Sequence, residues 1–522
     1  MSDCRVLTHL DYPDPDVIRV GDTYYMASTT MHFMPGCNIL CSKDLVNWEH
    51  LCYVYDVLEE TPAQKLEEGS AYGKGMWAPT LRYHKGKFYL CFVANDVHKT
   101  FLFIAEDIKG PWKKQYIEGF YHDPSLFFDE DDRVYIIYGN TKIHITELNE
   151  TLTAPKEGGL DRIIVQEPME HPNYLGYEGT HFYKINGIYY ATFIHWPPKE
   201  HFQRRTESCF CSTSLTGEFT GRDVFDEDAG YDGQGVAQGG IVDTPDGKWY
   251  AILFQDRSSS GRIPVLLPVT FEDGFPVFGK GELPKEMSLP DKPLVTSRIL
   301  DETGSKSQGT PVLHTYWQFN HIPDNSLWTG SLGETDQYTI TTGKLCENVS
   351  QAQNTLTQRA LWPGCYAEVT LDAEQLKVGD SAGLCAFQSD YGWIGITRKE
   401  EGFVLQMVKR GEHKPSFPRE VVDTSCGETV AEIAAENASK IRLQVRFEFA
   451  DAEGSHPVDR ASFAYEKDGE WITFGETIPT RFSLDHFTGY RFAMFLFATK
   501  EIGGQATFSD FRYYDQDGKY LA

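Results

Sequence analysis

The sequence is short of positive charge. It has 48 Lys and Arg residues against 76 Asp and Glu residues, so its formal net charge is −28 at pH 7. A surface that acidic repels phosphate backbones and anionic lipid headgroups. Nucleic acids and membranes are therefore not expected as partners, whereas a neutral substrate is compatible with this charge.

The chain also lacks long apolar runs and paired cysteines. No stretch approaches the roughly 18 apolar residues of a membrane span, and the first 16 residues do not have the basic start and apolar core of a secretory signal. The 11 cysteines are an odd number without a C-x-x-C pair. We expect most of them to be buried free thiols in a reducing compartment, the cytoplasm.

Amphipathic helical patterns are almost absent, and a repeat of short strands occupies the first 300 residues. Five segments each contain an apolar strand, a polar turn with Gly or Asp, and a second strand that opens with aromatic residues, which is typical of a β-hairpin. A further strand pair follows every hairpin except the last. Four-stranded units repeated five times predict a five-bladed β-propeller over residues 1–300. The segments begin at Asp14, Ala78, Asp123, Glu178 and Gln238.

The pattern changes after about residue 300. Residues 301–310 are polar and rich in Gly, Ser and Thr, which favours a linker. Residues 311–522 contain short alternating strands without the repeat, which predict a β-sandwich. The segment ETVAEIAAENAS (428–439) is expected to hold a helical turn. The predicted fold class is therefore all-β, with a propeller followed by a sandwich. The strands expected in the sandwich are CYAEVTLDA, SAGLCAFQS, WIGITRK, FVLQMVKR, IRLQVRFEFA, RFAMFLFAT and ATFSDFRYYD.

Three carboxylates share the repeat position that begins each hairpin. The innermost strands of a propeller line a central channel, so Asp14, Asp123 and Glu178 are expected to converge on its axis. Like charges at close range raise at least one pKa, an arrangement more typical of catalysis than of scaffolding. The alternative is that the two Asp-Pro pairs simply begin strands at turns.

Two carboxyl groups across a pocket are what glycoside hydrolysis requires. Glu178, with the longer side chain, suits the general acid, and Asp14 suits the general base. Asp123 suits a third acid that keeps the pKa of the donor high and holds its orientation. The high aromatic share, 14%, fits a site that stacks on sugar rings.

With these residues the chain resembles glycoside hydrolase family 43. The resemblance covers residues 8–280, and the C-terminal part is similar to the sandwich of the family's β-xylosidases. It implies inversion of configuration, with Asp14 as general base, Asp123 as pKa modulator and Glu178 as general acid. The motifs that carry it are YPDPDVIRVGDTYYM, FMPGCNILCSKDLVNWE, GMWAPTLRYHKGKFYL, HDPSLFFDED, YEGTHFYKINGIYY and QGGIVDTPDGKWYAILFQD.

The resemblance also implies substrate-binding residues. Arg262 matches an arginine that faces the sugar hydroxyls, with a surface salt bridge as the alternative. Trp77 matches an indole at the pocket floor, with packing between blades as the alternative. Phe33 and His195 are weaker candidates, and a lone histidine such as His195 is more often structural. Phe487 resembles a residue of the sandwich loop that closes the pocket, with a core aromatic as the alternative.

Two positions depart from the family pattern. Gln238, a further substrate-binding candidate, stands at the fifth axial position, where many members have a histidine that in some is linked to calcium. No cofactor is expected to be required and no metal ligand is assigned, although a Gln carbonyl oxygen is compatible with a structural calcium ion. The modulator motif reads HDPS where many relatives have FDPS, which is expected to change the pocket wall but not the chemistry.

Three functions from different classes remain open. The first is an exo-acting inverting glycosidase that removes terminal β-D-xylose or α-L-arabinofuranose from hemicellulose oligosaccharides. The second is a retaining fructosidase of the invertase type, disfavoured because its NDPNG and EC motifs are absent. The third is a non-catalytic carbohydrate-binding propeller, disfavoured because all three acids are present. The sequence does not rank the two sugars, and it is compatible with a homo-oligomer without specifying one.

Overall fold

The computed structural model describes residues 3–521 except 167–174, 198–203, 290–291, 307–309, 411–425, 436–437, 483 and 485. Within this part the chain forms forty β-strands and two short 3-10 helices, Ser258–Ser260 and Val349–Gln351. No helix of the described residues has the length and apolar composition of a membrane span. The all-β prediction is therefore confirmed.

The N-terminal half contains 22 strands. Each second strand of a blade begins with at least one buried aromatic residue, which favours strands over helices. The strands are β1 (Arg5–Val6), β2 (Asp16–Val20), β3 (Thr23–Ser28), β4 (Phe33–Met34), β5 (Gly36–Ser42), β6 (Trp48–Tyr55), β7 (Met76–His84), β8 (Lys87–Ala94), β9 (Lys99–Ala105), β10 (Lys113–Ile117), β11 (Ser125–Phe128), β12 (Val134–Tyr138), β13 (Lys142–Glu147), β14 (Asp161–Gln166), β15 (Glu178–Ile185), β16 (Ile188–His195), β17 (Thr206–Ser212), β18 (Thr220–Phe225), β19 (Val236–Asp243), β20 (Trp249–Asp256), β21 (Arg262–Glu272) and β22 (Phe275–Phe278).

All of these strands except β4 form the five predicted blades. Four are antiparallel four-stranded sheets, in the orders β2-β3-β5-β6, β7 to β10, β11 to β14 and β15 to β18. In the fifth, β19, β20 and β21 are joined at the outer edge by both β22 and the N-terminal β1. The first strands β2, β7, β11, β15 and β19 contact one another in a closed ring. Because β1 pairs with the last blade, the chain start closes the propeller.

The C-terminal half contains the other 18 strands. They are β23 (Leu300–Lys306), β24 (Thr310–Leu313), β25 (Gln318–Asn320), β26 (Trp328–Ser331), β27 (Gln337–Thr341), β28 (Leu356–Arg359), β29 (Gly364–Asp372), β30 (Asp380–Phe387), β31 (Gly392–Lys399), β32 (Gly402–Lys409), β33 (Glu428–Ala434), β34 (Ile441–Ala450), β35 (Pro457–Lys467), β36 (Glu470–Thr473), β37 (Ile478–Pro479), β38 (Arg491–Ala498), β39 (Gln505–Asp515) and β40 (Tyr520–Leu521).

Two antiparallel sheets form the sandwich. One has the order β33-β32-β31-β30-β38-β28-β25-β4, and the other runs β26-β27-β39-β29-β34-β35-β36, with β37 beside β35 and β40 beside β39. All seven strands expected from the sequence are present, as β29, β30, β31, β32, β34, β38 and β39. The apolar faces of the two sheets meet in a common core with Trp317, Phe447 and Phe508.

Two local expectations for this half are wrong. Residues 428–434 form the edge strand β33 paired with β32, not a helical turn, because pairing satisfies their backbone hydrogen bonds. Residues 436–437 of the segment 428–439 lie outside the described part. Residues 301–310 are not an open linker, since β23 and β24 pair as a hairpin. Residues 307–309 of that segment lie outside the described part.

The two halves share structure. Strand β4 leaves the first blade and pairs with β25, with Met34 opposite Phe319. Arg359 Nε donates a hydrogen bond to the Asp11 carbonyl over 2.8 Å, and both residues are buried. The sandwich is therefore built onto the propeller rather than tethered beside it.

Candidate active site

A left-handed residue marks the channel end of every blade. Four of the five predicted axial residues have a positive φ, between 38° at Ala78 and 57° at Gln238. In the fourth blade that conformation belongs to Gly179 (φ 66°), not to Glu178. The equivalence drawn between Glu178 and Asp14 is therefore wrong by one residue. Glu178 begins β15 just before the left-handed position.

Asp14 lies at the start of the first blade and is 3% exposed. Its Oδ1 accepts a hydrogen bond from Arg262 over 2.6 Å. Its Oδ2 accepts one from the Thr29 hydroxyl, also over 2.6 Å. Because both oxygens are held, the carboxylate has one orientation, which a base that must meet a water molecule requires.

Asp123 occupies the corresponding place in the third blade and is 6% exposed. Its Oδ2 accepts a hydrogen bond from the Gly179 backbone N–H over 3.0 Å. Burial raises the pKa of Asp123 to about 6, His122 opposes the rise, and the charges of Glu178 and Asp14 add to it. The three acids therefore act on one another electrostatically, as expected of carboxylates that face one channel.

Glu178 is held by two side chains of the third blade. His122 Nε2 lies 3.3 Å from Glu178 Oε2, and Asn140 Nδ2 donates a hydrogen bond to the same oxygen. Burial raises the pKa of Glu178, but the hydrogen bond and charge of His122, together with the charge of Arg205 and the Asn140 hydrogen bond, outweigh burial, so the pKa is lowered. The expectation that Asp123 keeps this pKa high is therefore not met, because an imidazole lies beside the carboxylate.

Arg262 is 6% exposed, so the surface salt bridge considered from the sequence is ruled out. Its guanidinium connects Asp14 to Asp256, with Nε 3.2 Å from Asp256 Oδ1. Arg205, 4% exposed, binds the other oxygen of Asp256 over 2.5 Å. Two buried cations thus offset part of the negative charge of the channel, and both interact with Glu178.

An aromatic wall comes from both halves of the chain. The Phe487 ring, from the sandwich, lies 4.1 Å from Arg262 Cζ. It also packs edge-on against Trp77 of β7, with centroids 5.1 Å apart. The structure therefore places Phe487 at the propeller channel rather than in the sandwich core, and it places Trp77 beside it.

The other predicted binding residues lie differently. Phe33 is 1% exposed, and its ring packs between the halves, against Arg491, His32 and His486. The cause is the pairing of β4 with the sandwich. His195 is 3% exposed and its Nε2 lies 2.9 Å from Asp223, in keeping with a structural histidine.

Gln238 remains at the channel. It is 4% exposed, and its backbone N–H donates to Glu207 Oε2 over 2.7 Å. Its side chain packs so closely on Gly179 that a Cβ atom there would be 2.4 Å from the Gln238 carboxamide carbon. A glycine is thus required at position 179, both because φ is positive there and because the Gln238 side chain leaves no space for a Cβ atom.

In the described part of the chain, one group of metal-type ligands lies close together. The donor atoms of His122, Asp123 and Glu178 are within 4.8 Å of one another. Calcium prefers six to eight oxygen ligands, and both carboxylates already accept hydrogen bonds from N–H groups. We assign no metal to this group, and calcium at Gln238 stays a prediction.

Several residues of the site were not identified from the sequence. His122 is visible in the motif HDPS, and Asp256 ends the motif QGGIVDTPDGKWYAILFQD, so both could have been found there. Asn140, Arg205 and Glu207 stand in no motif, and only the fold brings them to the channel.

Family profiles match most of the chain. The profile described as "Glycosyl hydrolases family 43" matches residues 5–276. A second, described as "Beta xylosidase C-terminal Concanavalin A-like domain", matches residues 309–514.

Curated proteins and solved structures are similar to large parts of the chain. A β-xylosidase of Formosa agariphila is 27% identical over 99% of this chain and 90% of its own length. A non-reducing end α-L-arabinofuranosidase of Bacteroides ovatus is 26% identical over 61% of each chain. A bifunctional GH43-CE protein of Bacteroides eggerthii is 37% identical with a TM-score of 0.85, and the match covers 99% of this chain but 64% of that one.

Proposed function

Because the chain belongs to glycosyl hydrolase family 43, we propose that it is an exo-acting, inverting glycosidase. Its proposed substrates are short hemicellulose oligosaccharides with terminal β-D-xylose or α-L-arabinofuranose. The observation that carries the proposal is the cluster of Asp14, Asp123 and Glu178 around one channel, with Arg262 bound to Asp14. The relatives named above as β-xylosidase and α-L-arabinofuranosidase support both sugars.

The chemistry assigns one role to each carboxyl group. Asp14, with both oxygens fixed, takes a proton from water, which attacks the anomeric carbon from the face opposite the leaving group. Glu178 gives a proton to the glycosidic oxygen as the bond to carbon breaks. Asp123 holds the Gly179 backbone and, through it, the start of β15. One displacement by water inverts the configuration.

The aromatic wall supports the proposed exo action. Phe487 packs against Arg262 and Trp77, so the sandwich contributes a residue to the wall of the channel. A pocket closed on one side admits a chain end more readily than the middle of a polymer. One terminal sugar would then be released in each turnover.

The first prediction concerns Asp14→Asn and Glu178→Gln. Each should lower kcat on unactivated xylosides and arabinofuranosides by about 10³-fold, since general acid–base catalysis contributes 10²–10⁴-fold. The measurement is initial rates on both sugars, with circular dichroism to verify folding. Glu147→Gln is the control, because Glu147 is also a buried carboxylate, but it lies on β13 and pairs with Lys156.

Three results would contradict the proposal. Near-normal rates in either variant would remove the assigned roles. Proton NMR that shows retention in the first-formed sugar would exclude the inverting mechanism and favour fructosidase-type chemistry. Tight sugar binding without hydrolysis over days would favour a non-catalytic propeller.

A further inference from the structure

The proposed mechanism leaves His122 without a role, although it lies inside the acid cluster. Its Nε2 is 3.3 Å from Glu178 Oε2 and 3.7 Å from Asp123 Oδ2, and its side chain is 28% exposed. It is thus the bridge between the proposed acid and the proposed modulator. The family resemblance treats this position as pocket wall.

The backbone fixes His122 in this place. Asp123 has a left-handed φ of 47°, which turns its carboxylate toward Gly179 and leaves the preceding His122 beside Glu178. The His122 carbonyl accepts a hydrogen bond from the Gly139 N–H over 2.9 Å. The next residue, Asn140, donates to Glu178 Oε2. The backbone hydrogen bond between Gly139 and His122 therefore places His122 and Asn140 side by side at Glu178.

The charges around the pair favour a proton on the imidazole. His122 faces Asp123, Glu178 and Asp14. Burial lowers the pKa of His122, but these carboxylates raise it to about 9. Glu178 faces His122 and Arg205, and its pKa is lowered. At neutral pH the free site thus contains an imidazolium and a carboxylate, whereas a general acid must carry a proton when it reacts.

We propose that His122 is a positioning residue that holds the catalytic proton in the free enzyme and returns it to Glu178 during turnover. This inference rests on the proposed function. On this inference the histidine of the HDPS motif takes part in proton donation, rather than only changing the pocket wall.

The step balances within the site. The Nε2–H bond of the imidazolium breaks, its electron pair stays on nitrogen, and the proton joins a carboxylate oxygen of Glu178. Glu178 passes a proton to the glycosidic oxygen, which keeps the electron pair of the broken C–O bond. Water forms the new C–O bond and loses its proton to Asp14. Solvent then carries a proton from Asp14 back to His122.

The kinetic test uses His122→Phe, which keeps a ring but removes the proton. If His122 supplies the proton, the loss of kcat/KM on a phenyl glycoside should exceed the loss on a dinitrophenyl glycoside by at least tenfold. A dinitrophenolate leaves with little acid assistance, so kcat/KM on the dinitrophenyl glycoside reports only folding and binding. The alkaline limb of the kcat/KM profile should move to lower pH by more than about one unit, toward the range of a carboxyl group without this partner.

A matched control and a second variant keep the test decisive. His144→Phe makes the same change on β13 of the same blade, where the ring stacks on Tyr138, and should move neither quantity. His122→Gln should repeat the effect if the phenylalanine variant fails to fold. Equal losses on both leaving groups with an unmoved alkaline limb would overturn the inference while leaving the glycosidase proposal intact. A wild-type protein without turnover of any glycoside would remove both.

An NMR titration tests the proton independently of turnover. The imidazole of His122 should titrate well above 6.5 in the wild type, and at least about one unit lower in Glu178→Gln, because the anionic partner is gone. An ordinary value in the wild type, or no change in the variant, would overturn the inference.

Discussion

At the scale of single residues, Glu207 is a buried acid beside Gln238 that none of the sequence motifs contains. It lies on β17, is 1% exposed, and accepts the backbone N–H of Gln238 over 2.7 Å. Burial raises its pKa to about 8. It supports the left-handed residue of the fifth blade and is neutral at pH 7.

This pKa predicts how stability depends on pH. Since the folded-state pKa lies above the unfolded value of 4.5, the folded state binds the proton more tightly. The stability contributed by Glu207 is fully present below pH 4.5 and is lost as pH rises to 8, by about 4 kcal/mol. Glu207→Gln, which keeps an oxygen acceptor, should remove this loss. The free energy of unfolding in urea between pH 4 and 9, compared with wild type, measures it.

Glu147→Gln serves as a control of opposite sign. Burial opposes the shift, but the Lys156 ion pair and the Leu160 N–H lower the pKa of Glu147. The unfolding free energy of wild type should therefore rise relative to that of Glu147→Gln as pH rises toward 4.5, and the difference should stay constant above pH 4.5. If the unfolding free energies of Glu207→Gln and wild type ran parallel between pH 4 and 9, Glu207 would not be a buried neutral acid.

The sequence predicts the residues of the site that stand in a repeat. Asp14, Asp123 and Gln238 recur at the same offset from a hairpin, so the period alone locates them. Arg205 directly precedes β17 and Glu207 lies within it. Neither stands in a sequence motif, so their roles depend on the fold. His122 is visible in its motif, but its direction depends on the positive φ of Asp123, which the sequence does not show.

At the scale of elements, the fourth blade shows why the repeat predicts positions only to within one residue. The register of β15 against β16 shifts between Glu178 and His181, as it does in β7 and β19. A bulge adds a residue without a signature in the sequence. The hairpin pattern aligns Glu178 with Asp14, whereas the left-handed position of the fourth blade is Gly179.

Gly179→Ala tests this bulge. A Cβ at φ 66° would lie 2.4 Å from the Gln238 side chain. We expect a loss of about 2–3 kcal/mol in unfolding free energy, with a fall in kcat because the Gly179 N–H holds Asp123. Gly187→Ala, with φ 81° in the hairpin of the same blade and open space around its Cβ, should cost about 1 kcal/mol.

The comparison separates clash from backbone strain. Gln238→Gly in the Gly179→Ala background should recover most of the difference between the two alanine variants, since it removes the atoms that clash. Equal losses for both alanine variants, without recovery in the double variant, would contradict the close contact.

Strand β33 shows a tertiary contact that overrides local preference. Its sequence, rich in Ala and Glu, favours a helix on intrinsic propensity. The open edge of β32 offers backbone partners along its length, and residues 428–434 take them. The sequence could not predict this because the edge belongs to a strand about 20 residues earlier.

At the scale of the whole molecule, the change of sequence pattern near residue 300 does not mark the edge of an independent body. Strand β4 lies between two strands of the first blade along the chain, but it pairs with β25 of the sandwich. The N–H of Tyr490 donates to the Ser259 carbonyl over 3.0 Å, close to the channel. The sandwich therefore shapes the site, and the position of Phe487 depends on this junction.

Phe487→Ala tests whether the sandwich completes the sugar site. The ring contacts Arg262 and Trp77, so its removal should raise KM at least tenfold while kcat changes less, and the buried truncation should cost about 3 kcal/mol. Phe497→Ala is the matched control, because Phe497 is equally exposed at 6% but packs on Trp393 inside the sandwich. Both variants should lose stability by similar amounts, and only the first should lose affinity. If KM stayed normal in both, the sandwich would support the propeller without taking part in recognition, and exo action would need another cause.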